Sequence, residues 1–168
     1  MVTRSLQRLI WLFPLAFIIH DLEEVITMIP WMQQHADLVA LMPIQPAVST
    51  TAEVAVAVGY EWILTFVAAY FGARELKRGR LHWFFAGLTA ALFLNVFTHL
   101  GQAVFVGGYI PGVVTVPIVL LPYMLLLGRR LFAEGFLDRR GLVRALVTGV
   151  PVGLAVVLTA HQIGRILI

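Results

Sequence analysis

Residues 9–32 read LIWLFPLAFIIHDLEEVITMIPWM, and the length of the apolar part decides the fold. The uninterrupted run Leu9–Ile19 would make a helix of roughly 16 Å at 1.5 Å per residue. The hydrocarbon core of a bilayer is about 30 Å thick. If this segment spans a membrane, His20, Asp21, Glu23 and Glu24 lie inside it. Arg4 and Arg8 before an apolar run look like a secretory signal, but acidic residues follow where a small-residue cleavage site would stand. A first spanning helix is therefore expected over 9–29.

Composition extends that reading to the whole chain. The 168 residues are 60% hydrophobic and 12% charged, with a mean hydropathy of +0.91. An ordinary soluble domain is about 45–50% apolar and about 25% charged. A disordered chain, a disulfide scaffold and a soluble enzyme are excluded on these grounds. At about 20 residues per span, the chain is used up by five or six helices with short loops. It reads as one transmembrane domain, 1–168, of all-α class. The net charge of +3 and pI near 9.8 are not a nucleic-acid signal, because the basic residues cluster between apolar runs. With no cysteine, any metal would be held by histidine and carboxylate.

Further helices are expected over 51–73, 81–105, 113–128 and 142–163, with a short interfacial helix over 31–42. Thr50-Thr51-Ala52-Glu53 has the spacing of a capping box, in which Glu53 reaches back to the cap amide. Gly107 to Gly112 reads as a tight turn, and Pro117 and Pro122 as kinks in the fourth helix. Gly149-x-x-x-Gly153 would let the fifth helix approach a neighbour closely. With the N-terminus inside, every basic residue except Arg165 falls on the inner side, including the run Arg74, Lys77, Arg78 and Arg80. The positive-inside rule thus predicts five spans, a cytoplasmic N-terminus, an outer C-terminus, and a multi-pass protein of the cell (inner) membrane.

Ionisable groups inside a span are costly and usually face a partner or a cavity. At 100° per residue, His20, Glu23 and Glu24 share one face of the first helix, and Asp21 points away from it. Asn95, His99 and Gln102 form a second stripe on the third helix. Counting 1.5 Å per residue from each helix start puts His20, Glu24, Asn95 and His99 roughly 17–27 Å from the inner side. Glu61 falls roughly 15 Å from the outer side, and His161 near the outer boundary. Scattered packing residues have no reason to agree in depth. Glu53 has a capping role to explain it, His35 reads as a solvated loop residue, and His82 as an inner interfacial anchor.

His20-Asp21-Leu22-Glu23-Glu24 spells H-x-x-E-E on a first membrane helix. Together with Asn95-x-x-x-His99 and Tyr109-x-Pro111-Gly112, it resembles the HXXEE-domain family of small prokaryotic-type integral membrane proteins. The resemblance covers nearly the whole chain. It implies a membrane fold, and the family's pattern of His and Glu residues has prompted the suggestion of a metal-dependent membrane enzyme.

From the residues themselves, His20, Glu24, His99 and His161 are the candidate metal ligands. Imidazole and carboxylate without thiolate suit zinc first, with iron or manganese as alternatives. Glu23 is the preferred general base, Glu61 a further catalytic carboxylate, and Asn95 an orienting amide. Tyr109, Pro111 and Gly112 would shape a turn over the site. The expected activity is hydrolysis of a lipid or another apolar substrate that enters from the outer leaflet. The competing reading is a small proton- or cation-translocating protein built on the same cluster. A third is a scaffold in which the polar groups only order the bundle. No internal repeat supports transport, although a homodimer would supply the missing symmetry.

Overall fold

A computed structural model describes residues 3–41, 48–74 and 81–168. Among them there is no strand. The order is α1 (Arg4–Trp11), α2 (Phe13–Gln34), α3 (Ala36–Ala40), α4 (Thr51–Arg74) and α5 (Trp83–Val106). A π-helical turn (Val116–Leu120) then leads into α6 (Leu121–Ala133), and α7 (Arg139–Leu167) follows. Among the described residues, four helical stretches are long and apolar enough to cross a membrane: α4, α5, Val116–Ala133 and α7. Helix α2 has 22 residues but carries Asp21, Glu23 and Glu24.

The first helix differs from the expectation of 9–29. It is broken at Leu12, because Pro14 has no N–H for the carbonyl of Ile10. The amphipathic α1 before the break buries Leu6, Leu9 and Ile10, and α2 beyond it runs through Pro30 to Gln34. Tyr123 donates to the Leu9 carbonyl near the break, at 3.0 Å. The expected interfacial helix 31–42 is likewise divided. Trp31–Gln34 finish α2, His35 leaves helical geometry at φ −127°, and only Ala36–Ala40 form α3. His35 is half-buried rather than a solvated loop residue; it stacks on Trp31 with ring centroids 4.7 Å apart.

Of the later helices, α4 ends at Arg74 against an expected 51–73, and α5 lies at Trp83–Val106 against 81–105. Val116–Ala133 is shifted from the expected 113–128, starting later and ending later, with Pro117 and Pro122 in the first turns of the π and α segments. Helix α7 outruns 142–163 at both ends, starting where the Asp138 side chain accepts from the Gly141 amide. The capping box at α4 is shifted by one residue. Thr50 Oγ1 accepts from Glu53 N–H as expected, but the Glu53 carboxylate accepts from the Ser49 amide at 2.6 Å. Lys77, Arg78 and Arg80 lie outside the described residues, as do Met42, Pro43 and Pro46. His82 stacks on Phe71 at 4.5 Å.

The core lies where α1, α2, α5 and α6 meet. Phe13 packs edge-on to Phe85 at 6.2 Å and stacks on Tyr123 at 6.4 Å. Helix α7 lies along α5 and α4. The small-residue stripe on α7 makes the α5 contact: a Cβ at Gly149 would sit 2.7 Å from Ala90 Cβ and 2.9 Å from the Ala91 amide nitrogen. Gly149→Ala is expected to force the two backbones apart and destabilise the fold by ~1–3 kcal/mol, the usual cost of overpacking. Gly59→Ala is the control, since a Cβ there meets nothing within 4 Å. Thermal melts in detergent check this; equal midpoints for Gly149→Ala and the wild type would remove the close α5–α7 contact.

Large apolar side chains cover much of the exterior. Ile26, Val104, Phe105, Ile118 and Val147 are each more than two-thirds exposed. Contiguous apolar surface of this kind suits contact with lipid rather than water.

Candidate metal centre

Helix α2 presents the stripe that its 3.6-residue period dictates. His20 and Glu24, one turn apart, face the same way, with His20 Nε2 3.8 Å from Glu24 Oε1. Helix α5 brings His99 to the same carboxylate oxygen, with Nε2 at 3.2 Å. The two imidazoles meet edge to face with centroids 4.9 Å apart. One donor atom each from His20, Glu24 and His99 lies within 4.8 Å of the others. His20 and His99 are buried, and Glu24 is half-buried between them.

The turn after α5 closes this cluster. Gly107 caps α5 with φ +70°, and the chain returns over the site so that Gly112, at φ +84°, touches it. A Cβ on Gly112 would fall 2.6 Å from His20 Cε1, 2.9 Å from His99 Cε1 and 3.1 Å from Glu24 Oε1. Only the bare backbone of glycine fits there.

Glu23 holds that turn down. Its Oε1 accepts from the Tyr109 hydroxyl at 3.0 Å and from the Val114 amide at 3.2 Å. Its Oε2 accepts from the Thr115 amide at 2.8 Å and from the Thr115 hydroxyl at 2.7 Å. The Val114 and Thr115 amides lead into the following helix, where free N–H groups await an acceptor. Trp31 Nε1 adds a bond to the Tyr109 carbonyl at 2.8 Å. The Tyr109 phenol, in the turn itself, is held above its ordinary pKa, first by burial. It therefore stays a protonated donor through neutral pH.

The donor set fits a divalent cation. Ligand atoms about 2.0–2.2 Å from a tetrahedral zinc stand about 3.3 Å apart, close to the 3.2 and 3.8 Å found here. His20 Nε2 is buried and has no hydrogen-bond partner, although it faces the carboxylate; His99 Nδ1 is also unpartnered. A buried polar nitrogen without a partner needs an explanation, and a role as a metal ligand supplies one. Two histidines and one glutamate make the three-ligand set that leaves a fourth position open.

Of the other candidates, Glu61 on α4 and His161 on α7 both lie close enough to interact electrostatically with Glu24. Neither contributes an atom to the three-residue group. Asn95 Oδ1 accepts from Thr98 of its own helix at 3.1 Å, and among the described residues it has no bond to the cluster. Gln102 is exposed.

Two residues were not foreseen. Asp21, set aside as facing away, is 2% exposed and interacts with both Glu24 and Glu61; its Oδ2 has no partner. Asp21 is off the expected His20–Glu24 face but is not left exposed, because α4 also packs on α2. Thr115 lies between Glu23 and His20, and its only signal was its place three residues after Gly112.

Helices of membrane-crossing length, closed over a buried His–Glu–His cluster, define the class: a membrane-type helical bundle with a polar interior site. Residues 11–127 match the family described as "Protein of unknown function with HXXEE motif", and the chain belongs to that family. The match ends before α7, so His161 stands outside it. No curated protein and no solved structure matches the chain.

Proposed function

We propose that this protein is a membrane-embedded, metal-dependent enzyme of hydrolase type that acts on a lipid or another apolar substrate. The reading places five spans in the cell membrane, with α2 among them, the N-terminus cytoplasmic and the C-terminus outside. The asymmetry of Lys and Arg supports that orientation. The observation that carries the function is His20 Nε2, buried, unpartnered and aimed at Glu24 and His99 within ligand distance.

His20, Glu24 and His99 would hold the ion, zinc first, with iron or manganese also suited to these donors. The chemistry such an ion supplies when bound is Lewis-acid activation of water and of a carbonyl or phosphoryl oxygen. Glu23 has both oxygens occupied, so its role is to position the 109–115 turn. The proton acceptor is then Glu61, which interacts electrostatically with Glu24 and Asp21. Asn95 offers amide hydrogens to a substrate oxygen, and His161 borders the site from α7. The Gly112 backbone covers one side of the cluster and excludes water there.

One observation favours the alternative of proton or cation translocation. Asp21, Glu61 and Glu24 interact as a group of carboxyls across α2 and α4, and such groups also serve as relays. Against it, the core around α1, α2, α5 and Val116–Ala133 is apolar, with Phe13, Phe85, Leu120 and Leu127 fully buried.

Elemental analysis of the detergent-purified protein by plasma mass spectrometry separates these readings. Near-stoichiometric zinc, iron or manganese is expected in the wild type, falling to background in His20→Ala and His99→Ala. A wild type that holds no metal, even after reloading with these ions, overturns the enzyme reading and leaves the carboxyl relay.

A further inference from the structure

We infer that Thr115 and Glu23 form a positioning relay that presets His20 as a ligand donating through Nε2. Thr115 Oγ1 lies 2.7 Å from Glu23 Oε2, 2.9 Å from His20 Nδ1 and 3.2 Å from the Gly112 carbonyl. A threonine hydroxyl has one proton to give and lone pairs to receive. An ionised carboxylate can only accept, and it makes the stronger and shorter bond. The hydroxyl proton therefore goes to Glu23. Oγ1 then meets His20 Nδ1 as an acceptor, so Nδ1 carries the ring hydrogen.

In a neutral imidazole, a hydrogen on Nδ1 leaves a lone pair on Nε2. That assignment accounts for two distances at once. His20 Nε2 stands 3.8 Å from Glu24 Oε1 and makes no hydrogen bond, as two lone pairs facing each other require. His99 Nε2, at 3.2 Å from the same oxygen, is near enough to donate. The two histidines are thus unequal. His20 is held in ligand form by groups outside the cluster, whereas His99 Nδ1 has no partner to hold its tautomer.

The same carboxylate joins this preset to the turn. Glu23 takes the Tyr109 hydroxyl and the Val114 amide on one oxygen and the two Thr115 donors on the other. The H-x-x-E-E motif then divides its work between its letters. His20 and Glu24 face the ligand position, and Glu23 acts on His20 through Thr115 while fastening the turn over both. Hydrogen-bonded outer partners that fix the tautomer of a ligand histidine typically matter 10- to 100-fold in metal affinity.

The consequence for metal affinity rests on the reading of the site as a metal centre; the tautomer does not. Two measurements keep them apart. Nitrogen-15 spectroscopy of histidine-labelled, metal-free protein, with His20 assigned by its loss in His20→Gln, is expected to show Nδ1 protonated and Nε2 bare. In Thr115→Val, which keeps the shape but removes the hydroxyl, the His20 signals should shift to a mixture of tautomers. Calorimetric titration with zinc should then show a Kd raised about 10- to 100-fold in Thr115→Val and restored to within about threefold in Thr115→Ser. Circular dichroism and a thermal melt confirm that each variant is folded. A hydrogen found on His20 Nε2 in the wild type overturns the relay, whether or not zinc binds. So does a folded Thr115→Val that binds zinc as tightly as a zinc-binding wild type. A wild type that binds no zinc but shows the expected tautomer overturns the metal reading and leaves the relay standing.

Discussion

Gly112→Ala is expected to dismantle the His20–Glu24–His99 cluster and bring bound metal down to background. Two costs add at this position. At φ +84° an L residue is in the left-handed region, worth roughly 1–2 kcal/mol against any side chain but glycine. The second cost is steric and larger. The added methyl would overlap His20 Cε1 at 2.6 Å and His99 Cε1 at 2.9 Å, and both rings are buried. Either the turn lifts, which breaks the Glu23 bonds, or the imidazoles rotate away from Glu24. Gly107→Ala isolates the first cost. Gly107 also has a positive φ, +70°, but a Cβ there meets nothing within 4 Å. That variant should lose some stability and keep its metal. Elemental analysis of the two purified variants, beside their melting curves, decides it. Equal metal content in both would mean that Gly112 does not close the cluster.

Glu24→Gln carries the second large effect. Glu24 faces both histidines through a single oxygen, 3.8 Å from His20 Nε2 and 3.2 Å from His99 Nε2. The amide keeps the shape and removes the negative charge, so a protein that needed Glu24 only for packing would hardly notice. As a ligand, the carboxylate offsets the charge of a divalent cation where little water is present to do so. Its loss should exceed the roughly 10- to 100-fold effect typical of outer partners in metal sites. The expected result is a folded protein without bound metal. Full zinc occupancy in folded Glu24→Gln would remove Glu24 from the ligand set and favour a bundle ordered by hydrogen bonds alone.

How the site was assembled shows where local periodicity stops being informative. The angle of 100° per residue places His20 and Glu24 on one face of α2, and the pairing with His99 follows from a shared depth. The same arithmetic set Asp21 aside, because it describes one helix and not its neighbours. Helix α2 also packs on α4, and Asp21 interacts electrostatically with Glu61 of that helix. Glu23 shares the stripe of His20, which made it look like a free base. Its four hydrogen bonds come from residues 86 to 92 positions away in the chain, a separation no spacing rule reaches. Thr115 had no pattern to mark it at all. Threonine is common in apolar helices, and its importance comes from sitting between two residues of another helix.

By itself the amino-acid order determined the quantities that depend on neighbours along the chain. These are the membrane-length apolar helices, the polar stripes, the glycines of the 107–112 turn and the small-residue stripe on α7. Hydrophobic length, helical period and backbone freedom are local properties, and one segment suffices to state them. Tertiary structure decided what depends on where segments meet. It drew the turn over the cluster until Gly112 touched both imidazoles, and made Glu23 a clasp. It also left His20 Nε2 facing Glu24 without a partner. The physical reason is that a hydrogen bond or an ion pair requires two atoms within about 3 Å of each other. Position along a helix fixes only the direction in which each atom points.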